Sequence, residues 1–454
     1  AYHLANASHE GQRREAGHPF IIHPISVALI LASELRFSRD VEMLVAALLH
    51  DAVEDSALSL NDISPAFGPV VTDLIEGVTK VDAAYSRNRS SLRAATLQRL
   101  FSAAHKDPRV LILKLADRVH NMRSLEGIKE AHRRKRIAQE TTDVYAPLSY
   151  FLGMGKVHRE LEDRSLQCLE SRAYAQLIKD IGSNPPEAYY KFQEEIKKTL
   201  WDQGIRARVR LQSKSLTSIH RKNLLSNSSL LKINDQYTLL LIVSSKDKCY
   251  QTLGVIHNHF IPVMEGFKDL IAVPRRNGYQ ALHTQLIDKN TKLEVHIQTP
   301  SMHRRGEFGI ATLRGNTLPK NNKQHWLNEL NDWQDHSASS HQLLEELKRI
   351  LFVQEIAVFT PKGDPIILPE KAILVDFAFA VHTDLGIHCT GGMVNEKKAS
   401  LFSTLKWGDT VTIETSRTQG PKRHWLRYVK TFRARRIINH YLLSSHPSAG
   451  LMFD

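Results

Sequence analysis

Apolar residues recur at intervals of three and four along the first third of the chain. One series runs from Val27 to Leu35 and a second from Val41 to Leu49. This spacing places the apolar side chains on one face of a helix, so it predicts an all-α domain over residues 1–170. A polar stretch of small residues, about 83–94, predicts a mobile loop inside that domain.

The pattern changes near residue 185, where short apolar runs bounded by polar residues begin. These runs predict strands at Tyr237–Val243, Leu270–Val273 and Leu293–Ile297. Helical segments flank them, which indicates a second domain of α/β type over residues 185–335. The leucine-rich stretch at 336–352 predicts a linker helix.

A small β-rich module is expected over residues 355–415, with Pro361-Lys362-Gly363-Asp364 as the turn between two strands. A tail follows over residues 417–454. Between Arg417 and Arg436 it has eight Lys or Arg residues and no acidic residue, and aromatic residues are interleaved at helical spacing. This composition suits an amphipathic helix that lies on RNA, and equally a helix that packs on a further domain.

Length, cysteine content and net charge limit the cellular compartment and the kinds of partner that the protein can have. The length of 454 residues favours about three domains, and no apolar run reaches transmembrane length. No signal peptide opens the chain, and Ala1 already lies in a helical pattern, so we expect a trimmed start. The three cysteines are far apart, which argues against a disulfide framework and fits a reducing, cytoplasmic compartment. A net charge of +13 favours anionic partners, although it also fits an ordinary basic protein.

Candidate chemistry begins where the apolar run Val45–Leu49 ends in His50-Asp51-Ala52-Val53-Glu54-Asp55. In a continuous helix His50 lies one turn from Glu54, and Asp51 one turn from Asp55. Carboxylates at the end of a buried helix need a counter-charge or water, and a divalent metal would supply the charge. Imidazole and carboxylate donors suit Mn, Fe or Zn better than Mg alone. By itself the stretch fits an ordinary polar helix end about equally well.

Two more segments supply matching donors. His23 follows two β-branched residues, and Asp117 lies in an apolar helical stretch. Asp117, Asn121 and Ser124 are spaced by four and three residues, so they share one helix face. Such a polar face is unusual for a core helix and suits a metal and its ligand. His120 lies off this face, and we expect it to be structural.

A basic loop precedes His23, between Gly11 and Pro19. Its residues Arg13 and Arg14 either reach an anionic ligand held at the metal or carry solvated surface charge. The residues themselves do not decide between these alternatives.

His23, the stretch His50–Asp55 and the stretch Ala116–Asn121 occur in an order that resembles the HD-type metal phosphohydrolases. More closely, they resemble the hydrolase domain of the long RelA/SpoT homologues, the alarmone enzymes of the stringent response. The resemblance implies one Mn²⁺ ion with four protein ligands, namely His23, His50, Asp51 and Asp117. It implies that Glu54 and Asp55 orient or deprotonate the attacking water. It also implies that the nucleotide is held by Arg14, stacked on guanine, and by Asn121 and Ser124.

The middle domain resembles the synthetase domain of the same family, a nucleotidyltransferase-like pyrophosphokinase. Shared stretches include Phe267-Lys268-Asp269, Asn277–Thr284 and Leu293–Thr299. The metal-binding Asp of the family is replaced by Thr238. Cationic positions are replaced as well, at Gln212, Val243 and Gly266. Because pyrophosphate transfer needs Mg²⁺ on carboxylates and cations along the triphosphate, Glu294 alone predicts an inactive synthetase.

Residues 355–415 resemble the TGS domain, a β-grasp fold that in relatives contacts tRNA ends or protein partners near the position of His382. Together the resemblances predict a multidomain, cytoplasmic, Mn²⁺-dependent (p)ppGpp 3′-pyrophosphohydrolase with no membrane contact. One alternative is a bifunctional synthetase and hydrolase. A second is a sensor that binds tRNA, the ribosome or a carrier protein through the TGS domain and the basic tail. The oligomeric state and the regulatory signal stay open.

Overall fold

The computed structural model describes residues 1–56, 58–79, 89–182, 185–226, 236–288, 291–312 and 355–445. The chain divides into two compact units, Ala1–Lys348 and Arg349–Asp454. No helix within the described ranges is long and apolar enough to cross a membrane. The linker helix expected at 336–352 lies outside the described residues.

The first part of the first unit is all-helical, as its apolar spacing predicts. Its helices are α1 (Tyr2–Ser8), α2 (Ile22–Leu29, continued by a π-helical turn Ile30–Glu34), α3 (Val41–Leu49), α4 (Ala52–Asp55), α5 (Leu60–Phe67), α6 (Pro69–Val78), α7 (Arg89–Lys106), α8 (Arg109–Arg123), α9 (Ala131–Glu140), α10 (Ala146–Phe151), α11 (Gly155–Leu169) and α12 (Ser171–Ile181). Because α7 begins at Arg89, the loop expected at 83–94 is wrong for residues 89–94, and its remainder lies outside the described residues.

Helix α8 is the central element of this helical domain. It contacts α2, α3, α6, α7 and α11. The apolar run Val110–Leu113 is buried, as the sequence predicts, but so are the charged residues Lys114, Asp117 and Arg118. Buried charges are costly unless they are paired. The polar residues of α8 must therefore find partners on neighbouring helices, and these partners form the candidate site.

A mixed five-stranded sheet forms the second part of the first unit. Its strands are β1 (Arg208–Ser213), β2 (Tyr237–Ile242), β3 (Ile261–Asp269), β4 (Leu282–Asp288) and β5 (Thr291–Gln298), in the order β1-β2-β5-β4-β3. Only the β2–β5 pair is parallel among these pairings. Helices accompany the sheet at α13 (Glu187–Asp202), α14 (Leu216–Ser226), α15 (Lys246–His259) and α16 (Pro300–Phe308).

One of the three predicted strands is wrong. The strand expected at Leu270–Val273 is not a strand, and β3 occupies the preceding residues instead. The Asp269 carboxylate accepts hydrogen bonds from the backbone N–H groups of Ile271 (3.0 Å) and Ala272 (2.8 Å). This side-chain-to-backbone turn ends the strand before the apolar run begins.

The helical domain and the sheet domain are bonded to each other within the first unit. The Ile310 N–H donates to the Leu152 carbonyl at 3.0 Å, and Arg159 pairs with Glu307 at 2.5 Å. Gly309 has a φ of +51°, and a Cβ there would lie 2.0 Å from the Leu152 carbonyl oxygen. Only glycine allows this close approach of two backbones.

The second unit begins with an antiparallel hairpin, β6 (Glu355–Phe359) and β7 (Pro365–Pro369), with the predicted turn between its strands. Its other elements are α17 (Leu374–Val381), α18 (Thr383–Ile387), β8 (Cys389–Val394), β9 (Lys397–Ala399), β10 (Val411–Thr415) and α19 (Phe432–Ser445). A short 3-10 turn spans Arg423–Arg427. The predicted multidomain fold, with a helical, a mixed-sheet and a small β-rich part, is confirmed.

The tail is part of the second unit's own core. Trp425 is 1% exposed and packs in one apolar cluster with Val375 and Phe379 of α17. The buried Asp376 carboxylate accepts hydrogen bonds from the backbone N–H groups of Lys430 (2.9 Å) and Thr431 (2.8 Å). The prediction that the tail aromatics line one helix on RNA or a further domain is therefore wrong for Trp425. This indole lies before α19 and is used in packing.

Candidate metal centre and nucleotide pocket

Two histidines and two aspartates from three separate helices converge beside α8. His23 comes from α2, His50 and Asp51 directly follow α3, and Asp117 comes from α8. The His23 Nε2 atom lies 3.2 Å from Asp51 Oδ2 and 3.3 Å from Asp117 Oδ1. The His50 Nε2 atom lies 3.2 Å from Asp51 Oδ1 and 4.0 Å from Asp117 Oδ1. The structure thus brings together all four residues that the sequence predicts as metal ligands.

His50 is held in the form that a metal ligand needs. Its Nδ1–H donates to the Ala47 carbonyl at 2.8 Å, because α3 ends at Leu49 and leaves that carbonyl free for a side chain. The Nε2 atom is buried and has no hydrogen-bond partner among the described residues. A buried nitrogen lone pair directed at two carboxylates is unfavourable without a cation. The donor set therefore fits a divalent metal ion bound by imidazole and carboxylate.

His23 is oriented by a residue that the sequence did not single out for this role. Its Nδ1 atom lies 2.7 Å from Nδ1 of His120. Burial and the neighbouring His23 lower the pKa of His120 to about 4, so His120 is neutral near pH 7 and accepts this hydrogen bond. Burial alone would lower the pKa of His23, but hydrogen bonds to Asp117 and Asp51 raise it. His120 therefore fixes the ring whose Nε2 faces the carboxylates.

Both carboxylates are held ionised despite their burial. Burial would raise the pKa of Asp117, but the Lys114 ammonium, 3.2 Å from Oδ2, and His23 hold it well below its usual range. For Asp51 the histidines outweigh burial in the same way and lower its pKa. Lys114 also donates to the Val78 carbonyl at 3.3 Å. Sequence reasoning missed Lys114, although a lone lysine inside the apolar run before Asp117 was a usable signal.

The three predicted nucleotide-binding residues form one hydrogen-bonded chain that starts at Asp117, one of the predicted metal ligands. Asn121 Nδ2 donates to Asp117 Oδ1 at 2.6 Å, and Asn121 Oδ1 accepts from Arg14 Nη2 at 3.3 Å. Arg14 Nη1 donates to Ser124 Oγ at 3.1 Å. The guanidinium carbon of Arg14 lies 5.6 Å from the centre of the Phe20 ring. A cation is thus fixed next to the carboxylate cluster, where an anionic ligand would need it.

Arg13 and Glu15 point to other partners. Arg13 donates to the Gly17 carbonyl at 2.8 Å within its own loop, and Glu15 forms an ion pair with Arg133 of α9. Neither residue belongs to the chain of contacts around Arg14. Of the two loop arginines, Arg14 donates hydrogen bonds to Asn121 of α8 and to Ser124, which follows α8, whereas the described hydrogen bond of Arg13 stays within the loop.

The two predicted water-activating acids lie on α4, a separate short helix. The sequence predicts one continuous helix through His50 and Asp55, and this is wrong, because the chain turns at His50 and Asp51 before α4 begins. Glu54 is partly buried and its charge contributes to the raised pKa of Lys114. Asp55 is exposed, and its carbonyl accepts from Gln12 Nε2 at 2.8 Å. The charge of Asp55 acts on Arg14, so both acids lie near residues of the candidate site.

The sheet domain has one carboxylate where pyrophosphate transfer would need two. Thr238 is the register partner of Glu294 on β5 and of Gln212 on β1. Glu294 forms an ion pair with Lys214, and its Oε1 lies 2.9 Å from His296 Nε2. Hydrogen bonds and charge from His296 and Lys214 lower the pKa of Glu294 against the effect of burial.

Comparison with known families assigns three segments of the chain. Residues 1–155 match the HD domain, residues 211–314 match the "Region found in RelA / SpoT proteins", and residues 356–415 match the TGS domain. These matches fall within the helical domain, the sheet domain and the β-rich module.

Comparison with curated proteins finds relatives along nearly the whole chain. It is 38% identical to a guanosine-3′,5′-bis(diphosphate) 3′-pyrophosphohydrolase of Vibrio cholerae serotype O1, over 97% of this chain and 64% of the relative. The same identity and coverage hold for the bifunctional (p)ppGpp synthase/hydrolase SpoT of Escherichia coli strain K12. A GTP pyrophosphokinase of Streptomyces coelicolor is 38% identical over 96% of this chain and 54% of the relative. The chain thus spans less than two thirds of the length of these relatives.

Proposed function

Because this chain is a RelA/SpoT homologue, we propose that its helical domain is a metal-dependent hydrolase of guanosine tetra- and pentaphosphate. Water attacks the phosphorus that bears the 3′ oxygen, the bond between them breaks, and GDP or GTP and pyrophosphate leave. The observation that carries this proposal is the buried lone pair of His50 Nε2, which faces two ionised carboxylates and has no hydrogen-bond partner within the described residues.

His23, His50, Asp51 and Asp117 would hold one divalent metal ion. We propose Mn²⁺, which the resemblance to the family implies and which a set of two imidazoles and two carboxylates can bind. When bound, such an ion supplies Lewis acidity, which lowers the pKa of water and offsets phosphate charge. His120 and the Ala47 carbonyl hold the two rings in place, and Lys114 and Asn121 hold Asp117.

The bordering residues supply the remaining chemistry. Glu54 and Asp55 would orient the attacking water and take its proton, because they follow the ligand Asp51 on α4 and their charges act on Lys114 and Arg14 beside the ligands. Arg14, held by Asn121 and Ser124, would stack on the guanine and add positive charge near the phosphates. Water activation would thus be assigned to α4, and nucleotide binding to Arg14 and the α8 face.

Substitution of a ligand tests this function directly. Asp51→Ala should abolish metal-dependent release of pyrophosphate from guanosine tetraphosphate, because loss of a direct ligand should exceed the ~10- to 100-fold cost of changes around a metal site. Asp73→Ala, an exposed carboxylate on α6, is the matched control and should keep the wild-type rate. Chelation should inactivate the wild type and Mn²⁺ should restore it. Full activity in chelator, with no metal bound, would rule out the assignment.

We propose in addition that the sheet domain makes no alarmone from ATP and GDP or GTP. The support is Thr238, a neutral residue, as the register partner of Glu294. A threonine hydroxyl is neutral and cannot replace the carboxylate that helps to hold Mg²⁺. Labelled ATP should yield no labelled alarmone at any Mg²⁺ concentration, and Thr238→Asp alone should not restore synthesis. Labelled product from the unmodified chain would establish the bifunctional alternative.

The sheet domain would then act on the hydrolase as a structural relay. Its bonds to the helical domain through Leu152 and Arg159 support this role, because they tie it to helices that pack on the site. The signal would arrive at the TGS module, where the exposed His382 is available to tRNA, the ribosome or a carrier protein. A chain truncated after residue 170 should hydrolyse at an altered rate. An unchanged rate together with unchanged stability would refute the relay.

A further inference from the structure

A second cluster of metal-binding side chains lies in the sheet domain, far along the chain from the HD residues. His283 of β4 and His296 of β5 are direct register partners, and Glu294 precedes His296 by two residues on the same strand face. The His296 Nε2 atom is 2.9 Å from Glu294 Oε1, and the His283 Nδ1 atom is 3.8 Å from the same oxygen. The candidate ligand atoms of all three residues lie within 4.8 Å of one another.

Two of these three side chains, His283 and Glu294, have their other polar atom held by a neighbour. The Tyr279 hydroxyl oxygen lies 2.9 Å from His283 Nε2 and can accept a hydrogen bond from an N–H at that position. In this tautomer the lone pair of His283 Nδ1 faces Glu294. Lys214 pairs with Glu294 Oε2, so Oε1 is left facing the two rings. Outer partners of this kind set the tautomer and orientation of ligands in metal sites.

The accessibility of the cluster suits an ion that enters from solvent. The His283 side chain is 10% exposed and forms the floor, whereas the His296 and Glu294 side chains are 22% and 28% exposed. The imidazole rings stack with their centres 3.7 Å apart. Because a metal ion lies in the plane of each imidazole that binds it, the two stacked rings must tilt apart when an ion binds to both.

We propose that the sheet domain binds one transition-metal ion of the zinc class through His283 Nδ1, Glu294 Oε1 and His296 Nε2. Two neutral imidazoles and one carboxylate are donors that favour Zn²⁺ or Co²⁺ over Mg²⁺, which prefers oxygen ligands. Three protein ligands leave a fourth, tetrahedral position for water. Where the family's synthetase domain holds Mg²⁺ with two carboxylates, this domain, with Thr238 in place of one of them, would hold the softer Zn²⁺ instead. This inference is independent of the proposed hydrolysis.

The experiment uses the full chain and zinc alone. After loading with Zn²⁺ and removal of free ion, His296→Gln should retain one equivalent less zinc per chain than the wild type. His259→Gln is the matched control: this exposed histidine of the same domain bonds only to its own helix carbonyl at Val255 among the contacts of the structure. It should retain the wild-type zinc content. Co²⁺ should give a visible-absorption component, additional to that of the helical-domain site, which His296→Gln lacks and His259→Gln keeps.

A rescue variant separates coordination from mere packing. His296→Cys should regain zinc, because a thiolate is also a zinc ligand, and Glu294→Gln should lose it. The melting temperature of the wild type should rise with Zn²⁺ and fall again with chelator, and this rise should be smaller in His296→Gln, which keeps only the helical-domain site. Equal zinc content in the wild type, His296→Gln and Glu294→Gln would overturn the proposal. So would a wild-type melting temperature that does not respond to zinc.

Discussion

The role of His120 gives the sharpest test of the helical site, because this residue touches no predicted substrate and is not itself a predicted ligand. To present a lone pair at Nε2, His23 must carry its proton on Nδ1, and that N–H donates to His120 Nδ1 at 2.7 Å. The His23 ring is 1% exposed, so in the folded protein its Nδ1–H depends on His120 as acceptor. His120→Ala should therefore leave a buried donor without a partner.

The magnitude follows from that geometry. An unsatisfied buried donor costs ~1–3 kcal/mol, which corresponds to a loss of about 5- to 150-fold in an equilibrium constant. The same range, ~10- to 100-fold, is usual for outer-shell partners of metal-binding histidines. His120→Ala should therefore weaken metal binding by about this factor, while the rate at saturating metal should change much less.

The assay is a Mn²⁺ titration of pyrophosphate release, paired with direct measurement of bound metal. His132→Ala is the control, since the His132 side chain is 78% exposed on α9. It should give the wild-type titration curve. An unchanged metal affinity in His120→Ala would show that His120 only fills space, and would return it to the structural role that the sequence indicates.

Three further changes have defined outcomes. Arg14→Ala should raise the KM for guanosine tetraphosphate by roughly 5- to 30-fold, or ~1–2 kcal/mol of stacking, with metal content unchanged; an unchanged KM would place Arg14 outside the pocket. Hydrogen bonding to Arg123 lowers the pKa of Glu34 from 4.5 to about 2, so its stabilisation is complete above pH 4.5 and is lost as the pH falls towards 2. In Glu34→Gln the free energy of unfolding, measured with urea, should depend less on pH between 2 and 4.5 than in the wild type. Gly309→Ala should lower the melting temperature, because its Cβ would lie 2.0 Å from the Leu152 carbonyl oxygen.

The sequence predicted the members of the helical site better than their arrangement. The spacing of Asp117, Asn121 and Ser124 places them on one helix face, and hydrogen bonds in the structure link that face to Arg14. The turn at His50 was not predictable from local signals, because no glycine or proline marks it. The His50 ring bonds back to the Ala47 carbonyl of its own helix and faces the Asp117 carboxylate of α8, and this second, tertiary contact is not visible in residue spacing.

Other errors have equally specific causes. Strand β3 contains Pro262 and Gly266 and lies at the edge of the sheet, so it lacks the continuous apolar pattern of a central strand. The apolar run after Asp269 was the stronger signal, but it packs as a turn. The cluster of His283 and His296 was also missed, because cross-strand pairs depend on register, which residue spacing along one strand does not give.

The hydrogen bonds of the buried Asp376 carboxylate move the C-terminal boundary of the TGS module beyond the family match. The family match to that module stops at residue 415, yet two of the backbone donors to Asp376 come from Lys430 and Thr431. Excision at residue 415 would strip those donors and uncover the apolar surface on which Trp425 lies. The segment that matches the TGS family is therefore shorter than the segment that forms the folded core. When the module is fused to another protein, it should fold only if the residues through Ser445 are included.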